Sequence, residues 1–167
     1  FAKSEIVPSN KDRFLRKETL QGFVHDEASA FFGGLAGNAG LFSTARDVAR
    51  VYQMLLNGGE IDGQRYLSKE TCQLFTTETS KISRRGLGFD KPGADDPKKG
   101  NCAPAAPAEV YGHTGFTGTC AWVDPVNELV YVFLSNRIYP DVTNRKLNQL
   151  HIRERIQGAI YDAMKKK

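Results

Sequence analysis

Long hydrophobic runs are missing from this chain of 167 residues. No stretch approaches the roughly 18 consecutive apolar residues of a membrane-crossing helix, so no membrane span is expected. Cysteine is scarce and poorly spaced for bridging: Cys72, Cys102 and Cys120 are an odd set without a C-x-x-C pair, against both a disulfide framework and a zinc site, and they leave the redox compartment open. The histidines show no H-x-H or H-x-x-x-H spacing, and no metal is expected. A clustered basic stripe is also lacking. The net charge is +4, yet the basic residues are scattered apart from KK at 98–99 and KKK at the C-terminus, so nucleic acid is not an expected partner. The glycines at 33–40 are not followed by a lysine in the P-loop manner, which removes phosphate cradling, and no cofactor is expected. There is no internal repeat. No signal-peptide pattern opens the chain, an observation without weight if the chain is a piece of a longer protein.

What is present is firm punctuation. Residues 1–20 show no sustained period and read as irregular. Gly33, Gly34, Gly37 and Gly40 demand tight turns or close approach. The spacing then predicts a helix with Thr44 at its N-cap and Asp47 three residues on, carrying a core stripe of Val48, Val51, Tyr52, Leu55 and Leu56, and stopped by Gly58 and Gly59. After a turn at Asp62 and Gly63, Ser68 is expected to cap a helix over KETCQLFTTE with Cys72 and Phe75 inward. RRGLGFD at 84–90 reads as a short strand. Residues 92–107, with four prolines, read as a surface loop of the kind that borders a site.

Two β-rich runs, 118–124 and 128–135, are joined by DPVN and predict an antiparallel hairpin. The run LVYVFL is apolar throughout, as a strand covered on both faces would be. A C-terminal helix is expected to bury Ile152, Ile156, Ile160 and Ala163 and to turn Arg153, Glu154, Arg155 and Lys165 outward. The fold class is therefore α/β in the α+β sense, an antiparallel sheet covered by helices. Trp122 reads as core and His151 as a surface or capping residue. In VHDEAS, His25 and Asp26 are too close in sequence to Ser29 for triad geometry, and are expected instead to bond the glycine-rich loop near the cleft.

Within this frame YGHTGFTGTCAWVDP, residues 111–125, sets one titratable ring among small and hydroxylated residues. GHTGFTGT, WVDP, the apolar strand, SNR and the terminal helix, with GGLAGNAGLFSTARDVARVYQMLLNGG upstream, resemble the C-terminal half of the serine β-lactamase, DD-peptidase and esterase superfamily, nearest its class C-like branch. The resemblance spans residues 5–163. It implies a partial β-lactamase/transpeptidase-like fold in which a Lys/His-Thr-Gly box forms one wall of the active site. His113, Thr114 and Gly115 match that box, with His113 the expected catalytic residue and Thr114 and Gly115 binding substrate. A histidine beside a threonine hydroxyl supplies positive potential and a directional donor for a substrate carboxylate or carbonyl, and Gly115 lets substrate lie flat on the strand. The residue after the box, Phe116, is implied to lend a backbone N–H to the oxyanion hole, a donor worth about 3 kcal/mol of transition-state stabilisation.

The departures from the family pattern matter as much. Its nucleophile comes from Ser-x-x-Lys and a second element from Tyr-x-Asn or Ser-x-Asn, because an unassisted hydroxyl attacks poorly. None of these occurs here. Residues 1–167 are thus expected to be a single region, the C-terminal part of a larger domain, inactive alone. The expected partners are the missing N-terminal part of that domain, a small-molecule or peptide substrate (a β-lactam, a D-alanyl peptide or an ester), and a second copy through an exposed sheet edge. The resemblance also implies a periplasmic or extracytoplasmic place in a bacterium. The alternative is a non-catalytic binding or accessory module attached to a cell-wall or glycan-processing enzyme.

Overall fold

A computed structural model describes residues 2–77, 82–93 and 101–165. The first twenty residues are more ordered than their pattern suggests. After a 3₁₀ turn at Lys3–Glu5, β1 (Pro8–Lys11) pairs antiparallel with β2 (Thr19–Gln21), with an irregular register between Pro8 and Asn10. Strands this short display too few residues for alternation to show in sequence. A carboxylate holds the turn between them: Asp12 accepts from the backbone N–H of Phe14, Leu15 and Arg16 at 2.9, 3.0 and 3.1 Å and from Arg16 Nε at 2.5 Å. Asp26 then N-caps α1 (Glu27–Phe31), accepting from Ser29 N at 2.7 Å.

α2 (Ala45–Leu56) starts as its sequence dictates, with Thr44 accepting from Asp47 N at 3.2 Å, and packs on β6 and β7 of the main sheet. Its stripe is only partly core. Val48, Tyr52, Leu55 and Leu56 are half-buried, while Val51 is 55% exposed, because the sheet meets the helix along one side only. β3 (Glu60–Ile61) and β4 (Gln64–Arg65) form a hairpin about Asp62 and Gly63, whose φ values of 51° and 75° suit a two-residue primed turn. Ser68 caps α3 (Lys69–Thr76) through Thr71 N at 3.1 Å. Cys72 is buried as expected; Phe75 is 44% exposed and not inward, lying beyond the edge of the contact. The last residue of the anticipated helix, Glu78, falls outside the described residues.

Residues 84–90 are not a strand. Two glycines interrupt the extended backbone, Gly88 has φ of 94°, and only Asp90 pairs, in an isolated bridge to Gly112. The anticipated surface loop at 92–107 also needs correction. Its residues 94–100 are outside the described set, but Cys102 and Ala103 are buried against the core. Their small side chains fit there, and the buried Ala103 N–H is satisfied by Gln157 Oε1 at 2.8 Å.

The main sheet is antiparallel in the order β5 (Tyr111–Thr114), β6 (Cys120–Asp124), β7 (Leu129–Phe133). The hairpin is as predicted, but the strand covered on both faces is β6, every residue of which is buried. In β7 only Tyr131 is. Position decides this: the central strand is flanked on both sides, whereas the apolar run lies at a margin. Trp122 of β6 is 1% exposed and centres a cluster with Cys102, Val110, Cys120 and Tyr131, which Ala106, Phe133 and Ile160 flank.

After α4 (Lys146–Gln149), α5 (Ile152–Met164) covers the sheet with an unexpected face. Arg153, Gln157 and Tyr161 are buried; Ile156 is 38% exposed and Ala163 is exposed. Polar pairing across the interface explains the rotation. Tyr161 Oη donates to Asp124 Oδ2 at 2.7 Å and Tyr131 Oη to the Arg153 carbonyl at 3.1 Å, while Gln157 meets the 101–107 segment. His151 precedes α5 in the left-handed region, φ 49°, exposed and without a side-chain cap bond. Short antiparallel sheets with helices packed on them make this an α+β fold; β5 and β7 are the outer strands of the main sheet, and β5 is bridged by Asp90 at Gly112.

Candidate functional site

The box lies where β5 ends. Tyr111 and Gly112 are buried opposite Val123 and Trp122, which fixes the strand, while His113 and Thr114 pair with Ala121 and Cys120 and are half-buried. Beyond them Gly115 to Thr119 turn the chain into β6, closed by Gly115 N to Thr119 O at 2.8 Å and Gly118 N to Gly115 O at 2.9 Å. Glycine suits both ends of this turn. A Cβ at Gly115 would run into the Thr119 hydroxyl, and Gly118 has φ of 102°. Arg137 N donates to Thr117 O at 2.9 Å, tying the turn to the segment after β7. Among the described residues the N–H of Phe116 has no hydrogen-bond acceptor.

The partners of His113 set its tautomer. Nδ1 lies 2.6 Å from the Thr114 carbonyl, which only accepts, and Nε2 lies 3.2 Å from Arg85 Nη1, which only donates. The ring thus carries its hydrogen on Nδ1 and offers the Nε2 lone pair to the guanidinium. The positive charge beside the His113 ring is that of Arg85.

Arg85 reaches this position because its neighbour is clamped. Asp90, 1% exposed, exchanges backbone hydrogen bonds with Gly112 at 2.7 and 3.0 Å, and its carboxylate takes Arg84 Nε and Nη2 at 2.8 and 2.9 Å and Asn101 Nδ2 at 3.0 Å. Burial acts to raise the Asp90 pKa, but the bonds from Arg84 and Asn101 outweigh it and hold the carboxyl below its ordinary value. The loop is pinned to the outer side of β5 one residue before His113.

Phe116, 59% exposed, projects from the turn against two further residues. Its ring is stacked with that of His25, centroids 5.3 Å apart and planes 6° apart, and the Arg137 guanidinium lies 4.7 Å from its centroid. His25 thus stands at the site rather than bonding the glycine-rich loop. Asp26 does bond that loop as expected, at the Asn38 side chain, and so does Ser29, wholly buried, whose hydroxyl meets Asn38 Oδ1 at 3.2 Å, so Ser29 is not aligned with His25 as a nucleophile. Burial lowers the His25 pKa against the opposing pull of Asp26 and Glu27. Among the described residues no group of three or more His, Cys, Asp or Glu side chains could hold a metal ion.

The chain's four expected site residues are therefore contiguous at one strand end, joined by Arg85, His25 and Arg137. Sequence reasoning missed Arg85 in this role because 84–90 read as a strand, and no spacing signal links residues so far apart. A guanidinium, a histidine, a threonine hydroxyl and an unengaged N–H on one edge can orient a carboxylate and polarise a carbonyl.

Comparison with known proteins gives the family. A family model described as Beta-lactamase matches residues 6–154. The chain is 38% identical over 135 residues to a protein of Escherichia coli (strain K12) described as "Putative D-alanyl-D-alanine carboxypeptidase", covering 80% of this chain and 31% of that protein. Relatives of the same description from Salmonella agona (strain SL483) and Salmonella typhi match at the same identity and coverage. The chain spans about a third of the length of these curated relatives.

Proposed function

Because this chain belongs to the beta-lactamase family, we propose that it supplies the His-Thr-Gly wall of a serine-hydrolase acyl-transfer site whose nucleophile sits on further polypeptide of the same domain. In this reading residues 1–167 are a single C-terminal region, inactive alone. The observation that carries it is the unengaged Phe116 N–H one residue beyond His113, Thr114 and Gly115. A carbonyl oxygen that gains charge as the serine oxygen adds to its carbon accepts from this N–H, and removing such a donor costs about 3 kcal/mol. Thr114 directs a hydroxyl toward the bound carboxylate or carbonyl, and Gly115 leaves the strand edge flat for it. His113, through the Nε2 lone pair, orients Arg85.

Arg85 favours substrates with a carboxylate near the reacting carbonyl, namely a D-alanyl peptide or a β-lactam, over a neutral ester. The relatives described as "Putative D-alanyl-D-alanine carboxypeptidase" support the peptide.

The test uses a fluorescent penicillin and a fluorophosphonate probe on the longer protein and on this chain. The longer protein is expected to form a covalent adduct and the chain alone none. Labelling of the isolated chain at one of its own serines overturns the division of the site, and absence of labelling in the longer protein leaves a binding module. In the longer protein His113→Ala is expected to slow acylation with the fold intact. Arg85→Ala is expected to raise KM for a carboxylate substrate by about tenfold or more, the loss of a charge-assisted bond of about 1.5–3 kcal/mol, and to leave a neutral ester unaffected.

A further inference from the structure

The side chain of Phe116 is a problem for the turn that bears it. Gly115, Thr117 and Gly118 are each held by a backbone hydrogen bond, but the N–H of Phe116 is not, and its ring is 59% exposed, so core packing does not fix it. The Gly115 carbonyl of the same peptide plane accepts from Gly118 N at 2.9 Å, so the plane is held on that side, and the freedom left to the Phe116 N–H lies in ψ of Gly115 and φ of Phe116. The ring instead meets a nearly parallel imidazole at 5.3 Å and a guanidinium at 4.7 Å. Stacked and cation–π pairs of this kind each contribute about as much as one hydrogen bond.

His25 itself is firmly placed, by contacts outside the box. Arg16 Nη2 donates to its carbonyl at 2.8 Å and Arg16 Nη1 to the Val24 carbonyl at 3.1 Å, and Arg16 is in turn paired with Asp12. The next residue, Asp26, caps α1. The imidazole is thus presented from the β1–β2 and α1 region to a turn at the far end of β5, a contact no catalytic motif explains.

We propose that His25 is a positioning residue which, by stacking on Phe116, fixes the turn and aims the Phe116 N–H into the site; the functional half rests on the acyl-transfer reading above. His25 serves as a flat surface, not as an acid or base, so an aromatic residue without a titratable proton replaces it. The charged groups near His25 are Asp26, Glu27, Arg16 and Arg137; with burial lowering its pKa, the neutral ring faces Phe116 and leaves Arg137 the cation on that ring.

Two readouts test this. In the present chain, the ¹⁵N order parameter of the Phe116 amide is expected to be that of rigid backbone, about 0.85, to fall toward about 0.6 in His25→Ala, and to be restored in His25→Phe. In the longer protein, His25→Ala is expected to lower kcat by about tenfold with KM nearly unchanged, His25→Phe to recover it, and His25→Ala/Phe116→Ala to be no worse than either single variant. An order parameter indifferent to His25, an unchanged kcat, or failure of phenylalanine to rescue overturns the proposal. If the amide responds but the wild-type longer protein never acylates, the serine-hydrolase reading falls, and the catalytic role with it. If the wild type acylates and the amide does not respond, this proposal alone falls.

Discussion

The carboxylate of Asp12 closes the turn between β1 and β2, and it also anchors Arg16, which holds the backbone that presents His25. The hydrogen bonds from Arg16 and from the N–H groups of Phe14 to Arg16 hold its pKa well below the ordinary carboxylate value, more than offsetting desolvation. A depressed folded-state pKa means stability that is present above the unfolded value, near about 3.9, and lost as pH falls below it. Asp12→Asn is therefore expected to be less stable than wild type at neutral pH and to lose less on acidification. Urea midpoints above and below about pH 4 check this; parallel curves for the two proteins refute it. At this scale sequence and structure diverge by residue type. His113 to Phe116 were nameable as candidates because the box is contiguous and resembles a family pattern. Arg85, His25 and Arg137 were not, since each arrives from a different segment and a single sequence carries no record of contacts across loops.

Helix α2 and helix α5 show which parts of an element can be read in advance. The starts of α2 and α3 followed from Thr44 and Ser68 because a capping hydroxyl acts within three residues of itself. The inward face of α5 did not follow from its isoleucines, because its buried side is polar and satisfied by partners elsewhere: Asp124 for Tyr161, Ala103 N for Gln157. Asp124 also accepts from Val126 N and Asn127 N at 2.9 and 3.0 Å, so one carboxylate shapes the β6–β7 turn and receives the helix. Tyr161→Phe removes the phenol bond from a site 4% exposed, and a loss of about 1–3 kcal/mol in unfolding free energy is expected. A change under a few tenths of a kcal/mol in urea titration would mean that Asp124 is satisfied without α5.

Across the whole molecule the core is small and centred on the sole tryptophan, with all three cysteines buried. Burial pushes the Cys102 thiol up to about 12 and the Cys120 thiol to about 11. Ellman's reagent in mildly alkaline buffer is expected to leave the native chain unmodified and to titrate three thiols in denaturant, in step with a red shift of Trp122 emission. Rapid native reaction at either thiol would show that the cluster opens. The alternating order of the main sheet also separates two turns. Residues 115–119 lie at one end of β6 and the exposed 125–128 turn at the other, about 17 Å away along five residues of strand. A fluorophore or surface tether attached at Val126 would thus report on, or immobilise, the molecule from its blind end, leaving the opposite end clear for whatever approaches it.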